Sequence, residues 1–192
     1  NRMNKYTLGM ATQGLSNYLN KTFTEQGVSV AIAHDCRNNA EEFAKVVADV
    51  FTANNIKVFF FESLRPTPEL SFAIRHLGCK SGVVLTASHN PKEYNGYKAY
   101  WTDGAQMVAP HDLNVMNEVR SITSLDDVHF EGKEALIETI GDDMDQAYLE
   151  ELKNISLFPD ATEEDKSINI VFSSIHGTGI TLVPKALELY GF

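Results

Sequence analysis

The chain has 192 residues, 43% of them hydrophobic, and a formal net charge of -10, which is enough for one full domain and a remainder. The acidity argues against nucleic acid and anionic membrane as partners, since both require basic patches, and no apolar run is long enough to span a bilayer. There is no secretory signal pattern, which suits a cytoplasmic protein, and the first residue is Asn rather than Met, so a piece of a longer or trimmed polypeptide is expected.

Residues 4–23 have helical spacing, with Leu8, Ala11, Leu15, Tyr18 and Leu19 on one face. The apolar run 28–33 reads as a buried strand that ends in the polar cluster His34-Asp35-Cys36-Arg37-Asn38. Asn39 is placed to cap a helix running to about Asn54, with Phe43, Val46, Val47, Val50 and Phe51 inward. Residues 57–61 form a second strand. After the loop 63–68, Thr67 is expected as N-cap with Pro68 at the first helical position, and the helix that follows stops at Gly78. A third strand carries Val83-Val84-Leu85. This strict alternation predicts parallel pairing with right-handed crossovers.

Residues 97–101 and 105–108, joined around Asp103-Gly104, read as an antiparallel hairpin added to that sheet. Asp112 is expected to cap a helix through Val119, residues 121–141 have weak pattern, and 142–155 read as a helix with Met144, Tyr148, Leu149 and Leu152 inward. The fold class is therefore α/β: a three-layer α/β/α domain on a mixed, mostly parallel sheet over residues 1–155. Residues 156–167, polar and acidic with Pro159 inside, read as a linker. A new unit then opens with a strand at 168–172, the turn Ser173-Ser174-Ile175-His176-Gly177-Thr178-Gly179 and a helix at 181–190. One strand and one helix cannot bury a core, so 168–192 are expected to be the start of a second α/β domain, cut short. The two cysteines, Cys36 and Cys79, have no metal-ligand spacing and read as reduced, buried thiols.

The chemistry concentrates in residues 82–101. The strand breaks at Thr86-Ala87-Ser88-His89-Asn90-Pro91, which puts hydroxyls, an imidazole and an amide just past a strand end, where ligands sit in open α/β sheets. Asn95-Gly96 is a turn dipeptide that returns the chain through Lys98 toward the Ser88 loop. On spacing alone, Ser88, His89 and Asn90 read as turn formers before proline, and Lys98 as a solvated strand lysine. The hydrolase elbow G-x-S-x-G and the phosphate-binding P-loop are both absent. So is a glycine fingerprint after the first strand, where His34-Asp35-Cys36-Arg37 stands instead.

Thr86-Ala87-Ser88-His89-Asn90-Pro91 followed by Asn95-Gly96-Tyr97-Lys98 resembles the phosphoserine loop of the α-D-phosphohexomutase family. Asn1-Arg2-Met3-Asn4, Ala11-Thr12-Gln13-Gly14, Thr67-Pro68, Gly104-Ala105-Gln106 and Pro110-His111-Asp112 resemble its phosphoglucomutase-2/phosphopentomutase-like branch, and His176-Gly177-Thr178-Gly179 resembles the start of its second domain. The resemblance implies a phosphosugar mutase that interconverts sugar 1-phosphate and 6-phosphate, of glucose or mannose, through a phosphoserine and a bisphosphorylated sugar. Phosphopentomutase, acting on ribose 1- and 5-phosphate, and a non-catalytic phosphosugar-binding relative stay open as alternatives. The phosphoserine falls at Ser88, with His89 balancing charge around the phosphate and Lys98 as general acid/base. Arg37, Asn90 and Lys92 fall in the substrate-binding region, while Arg65 is a weaker candidate.

The resemblance also implies one Mg²⁺ per active site, with Ser88 as a ligand through its phosphate and the other ligands beyond this chain. It further implies a glucose 1,6-bisphosphate-type activator, a phosphosugar as the substrate partner, and no activity for this chain by itself.

Overall fold

The computed structural model describes residues 3–24, 27–158 and 161–192; Asn1, Arg2 and Pro159, invoked above, lie outside the described residues. Helix α1 (Lys5–Thr22) starts at Asn4, whose side chain accepts the Tyr6 and Thr7 N–H groups in a capping box closed by Thr7. It is followed by β1 (Ser29–His34), α2 (Ala40–Ala53), β2 (Lys57–Phe61), α3 (Thr67–His76) and β3 (Ser81–Leu85). Next come β4 (Tyr97–Tyr100), α4 (His111–Ser121), β5 (Ile137–Ile140), α5 (Asp142–Asn154) and α6 (Gly179–Leu189).

The sheet order is β4-β3-β1-β2-β5. The central strand β1 pairs in parallel with β2 and β3, β5 pairs in parallel with β2, and only β4 runs antiparallel, along β3. Strand residues alternate faces, and both faces are covered. Val30, Ile32, Val58, Val83 and Leu85 meet Leu8, Leu15 and Leu19 of α1 and Val47 and Phe51 of α2. On the other side Ala31, Ala33, Phe59, Phe61 and Val84 meet Leu70, Ala73 and Ile74 of α3 and Met144 of α5. Every residue of β1 is buried, as a strand covered on both faces requires. Burying each Leu, Ile or Phe contributes about 1.5–3 kcal/mol. The expected three-layer α/β/α architecture with a mixed, mostly parallel sheet is therefore present.

Several local expectations shift. Asn39 sits at the N-cap of α2 in the left-handed region (φ 61°), and its side chain makes no capping bond; its carbonyl takes the Phe43 N–H instead. Pro66 is the N-cap of α3, so Thr67 and Pro68 are already helical. Pro110, not Asp112, occupies the N-cap of α4, and the Asp112 carboxylate accepts the adjacent Leu113 N–H. Residues 105–108 return beside β4 through two backbone bonds and one bridge, Tyr100 to Gln106, too few to make a strand.

The weak-pattern stretch holds a strand, β5, that sequence spacing missed. The run 168–172 is in no strand: Val171 is 99% exposed, and among the described residues no sheet edge lies alongside to satisfy its backbone. Helix α6, in which Leu182 is buried, packs on α5, and the Tyr190 hydroxyl donates to the Leu152 carbonyl at 2.7 Å. Among the described residues no helix is long and apolar enough to cross a membrane.

Candidate active site

The carboxyl ends of β1 and β3 lie side by side, with His34 across from Leu85. The loops that leave them form one wall of an open cleft of about 640 Å³. Asp35, Cys36 and Arg37 come from the β1 loop, Thr86, Ser88, His89, Asn90 and Lys92 from the β3 loop, and Arg65 and Thr67 from the start of α3. His176, Gly177 and Thr178, just ahead of α6, face them across the cleft. This is the position at which an open α/β sheet presents ligand-binding groups.

Ser88 is exposed, and its hydroxyl lies 3.3 Å from His89 Nδ1. Its backbone is left-handed, at φ 57°, a conformation that costs a residue with a Cβ roughly 1–2 kcal/mol and persists only where surroundings enforce it. Those surroundings are specific. The Ser88 N–H donates to Thr86 Oγ1 at 3.0 Å, and the Thr86 hydroxyl donates to Asp35 Oδ2 at 2.6 Å. Arg37 Nε donates to the same carboxylate oxygen at 2.8 Å, and the Arg37 guanidinium also reaches the carbonyls of Ser88, Asn90, Pro91 and Tyr94.

The residues singled out in the sequence divide. Ser88, His89, Asn90 and Lys92 are exposed together along the cleft. Asn90 also closes its own turn, its amide donating to the Ala87 carbonyl at 3.0 Å. Arg37 reaches the site but is buried, with four of its donors committed to the loop and to Asp35. Lys98 lies across from Val84 in the antiparallel pair, on the face whose Val84 is part of the cleft wall; its own side chain is not among the cleft-lining groups. Cys36 is not the buried thiol expected: it is exposed in the cleft and donates to the His176 carbonyl, whereas Cys79 is buried. Among the described residues no cluster of His, Cys, Asp or Glu could hold a metal ion. Asp35, a carboxylate that lines the cleft, is already engaged by Arg37 and Thr86.

Behind the cleft wall lies a buried ionic group that sequence spacing did not reveal. Arg65, 3% exposed, pairs with Asp145 of α5 through Nε at 2.6 Å and Nη2 at 3.2 Å. Lys185 of α6 reaches the same carboxylate at 2.7 Å. Burial alone would raise the Asp145 carboxyl, but its bonds to Arg65 and Lys185 outweigh that and hold it below the usual range. Glu69 is fully buried, and neither carboxyl oxygen has a hydrogen-bond partner. Burial, then the neighbouring Asp145, pushes its carboxyl up to about 8, so it carries its proton at neutral pH. The contacts that join Asp145 to Arg65 and Lys185 span 80 and 40 residues, and no local pattern announces them.

Residues 1–126 match the family described as phosphoglucomutase/phosphomannomutase, alpha/beta/alpha domain I. A phosphoglucomutase from Staphylococcus haemolyticus is 34% identical over 195 residues, covering 100% of this chain and 34% of that protein. A human phosphopentomutase is 31% identical over 201 residues, covering 98% of this chain and 32% of that protein. The structure of parafusin, a phosphoglucomutase from Paramecium in its open form, superposes with a TM-score of 0.73 at 22% identity, over 96% of this chain and 38% of that one. That likeness is one of fold. The chain spans about a third of the length of the curated relatives it matches.

Proposed function

The chain belongs to the phosphoglucomutase/phosphomannomutase family, and on that footing we propose that Ser88 is the phosphoryl-carrying residue of a phosphosugar mutase. The observation that carries the reading is an exposed serine hydroxyl, on a rigidly held loop, at the lip of a cleft where parallel strands end. In the proposed cycle a sugar hydroxyl attacks the phosphorus of phosphoserine. The Ser88 Oγ–P bond breaks, a sugar O–P bond forms, and the hydroxyl proton passes to a base. The bisphosphate turns over and returns its other phosphate to Ser88.

A phosphate ester of serine suits this work because it resists water, yet transfers once the charge developing on its oxygens is stabilised. His89, 3.3 Å from Oγ, orients and balances the phosphate, and Lys92 adds positive charge to the same wall. Lys98 is the proposed acid/base. Magnesium, when bound, would supply charge neutralisation, and Ser88 through its phosphate offers one hard oxygen ligand. A sugar bisphosphate of the glucose 1,6-bisphosphate type would load the serine.

The substrates proposed are glucose or mannose 1- and 6-phosphates. The likeness to a human phosphopentomutase supports a second reading on ribose 1- and 5-phosphates. The division at residues 156–167, with a second α/β unit from residue 168, belongs to the same proposal, as does a cytoplasmic setting and a lack of turnover by this chain alone. The test is made in the intact enzyme. Incubation with a sugar bisphosphate should add one phosphate to the Ser88 peptide, and Ser88→Ala should abolish mutase activity. Full activity in Ser88→Ala would overturn the reading.

A further inference from the structure

We infer that Thr86, Asp35 and Arg37 form a closed ring of hydrogen bonds that positions Ser88, with the Thr86 hydroxyl as its joint. The inference rests on the mutase reading, and it moves Arg37 from substrate contact to positioning. The ring runs from the Ser88 N–H to Thr86 Oγ1 at 3.0 Å, then from the Thr86 hydroxyl to Asp35 Oδ2 at 2.6 Å. Arg37 Nε joins that oxygen at 2.8 Å, and Arg37 Nη2 closes the circuit on the Ser88 carbonyl. Both peptide groups that flank the Ser88 α-carbon are therefore tied to one ion pair. Thr86 is 7% exposed and Arg37 9%, so water competes little for these bonds.

The direction of each bond is fixed. An ionised carboxylate only accepts, so the single Thr86 proton goes to Asp35 and leaves a lone pair on Thr86 Oγ1 for the Ser88 N–H. The other Asp35 oxygen takes the Arg37 backbone N–H at 3.0 Å, which locks the β1 loop to the same carboxylate. Two consequences follow. The Ser88 N–H is engaged and is not free to bind phosphate, and the Arg37 charge is matched by Asp35. The ring therefore acts through backbone geometry: it enforces φ 57° at Ser88 and thereby sets where Oγ stands. A residue that both gives and receives a phosphoryl group in each cycle needs that position reproduced, because a displacement of about 1 Å costs on the order of 100-fold in rate.

The test compares wild type, Thr86→Val and Thr86→Ser in the intact enzyme. Valine keeps the shape and removes both hydroxyl bonds; serine restores them without the methyl group. Thr86→Val is expected to lower kcat on the order of 100-fold with KM little changed, and Thr86→Ser to recover most of it. Equal kcat in Thr86→Val and wild type, or Thr86→Ser as impaired as Thr86→Val, would overturn the ring. Asp35→Asn repeats the comparison should Thr86→Val fail to fold, and an undiminished kcat there counts against the ring equally. Amide hydrogen exchange over residues 86–96 judges the ring whatever the activity. Faster exchange in Thr86→Val but not in Thr86→Ser is expected, and equal protection in all three proteins overturns it. Wild-type protein that neither takes phosphate on Ser88 nor shows mutase activity would instead sink the functional reading, with the exchange comparison still deciding the ring.

Discussion

The α-carbon of Gly96 lies directly against the carbonyl of Thr86: a Cβ built at Gly96 would stand 2.5 Å from that oxygen. The two residues are also bonded, the Thr86 N–H donating to the Gly96 carbonyl at 3.1 Å. The turn into β4 is thus pressed against the start of the Ser88 loop. Gly96→Ala forces the strands apart there and is expected to destabilise the fold by about 1–3 kcal/mol, read as a lower urea midpoint. An unchanged midpoint would show that the turn yields freely.

Ser88 itself should be a source of strain. Its left-handed backbone suits glycine better than any residue with a Cβ. Ser88→Gly is expected to be more stable than Ser88→Ala by about 1 kcal/mol, although both lose the Ser88 hydroxyl. Thermal unfolding of the two variants side by side measures the difference; equal midpoints would mean that the loop relaxes out of φ 57° once the serine is gone.

Glu69 gives stability a pH dependence of definite sign. Its carboxyl is pushed up from an ordinary 4.5 to about 8 in the folded protein. The folded state holds a proton that the unfolded chain releases across that interval. The contribution of this group is complete below about pH 4.5 and is lost as pH rises toward 8, with a slope of at most about 1.4 kcal/mol per unit. Glu69→Gln, which mimics the protonated form, should flatten the decline. A decline as steep as wild type in that variant would assign it to another group.

The two cations on Asp145 should differ sharply. Arg65→Met leaves the Asp145 carboxylate buried without its main partner, a loss of about 3–5 kcal/mol. Lys185 is 45% exposed, so Lys185→Met should cost no more than about 1 kcal/mol. Denaturant titration of the two variants ranks them, and comparable losses would show that Lys185 holds Asp145 as firmly as Arg65 does.

The central fold was legible because β1, β2 and β3 are short apolar runs separated by helices of clear period, and parallel order follows from the crossovers. β5 was not. It reads Ile137-Glu138-Thr139-Ile140, an edge strand with only two apolar residues, and its partner β2 is some eighty positions away. Helix starts slipped, by one residue at α3 and by two at α4, because Pro66 and Pro110 take the N-cap where a side-chain acceptor was expected. At the site, the resemblance of the Thr86–Pro91 motif pointed to Ser88, which lines the cleft, but nothing in a linear pattern says that Arg37 turns inward onto four carbonyls. That fact needs the β1 and β3 loops adjacent, as does the Arg65–Asp145 pair for its own elements.

The two thiols differ in a way that gives the cleft its own reporter. Cys79 is buried, and burial pushes its thiol up to about 11, so an alkylating reagent finds neither access nor thiolate there. Cys36 stands open beside Ser88. Within this chain a maleimide dye would therefore mark Cys36 in preference to Cys79, and a ligand seated in the cleft would slow its attachment, turning occupancy into a labelling rate without any engineered tag.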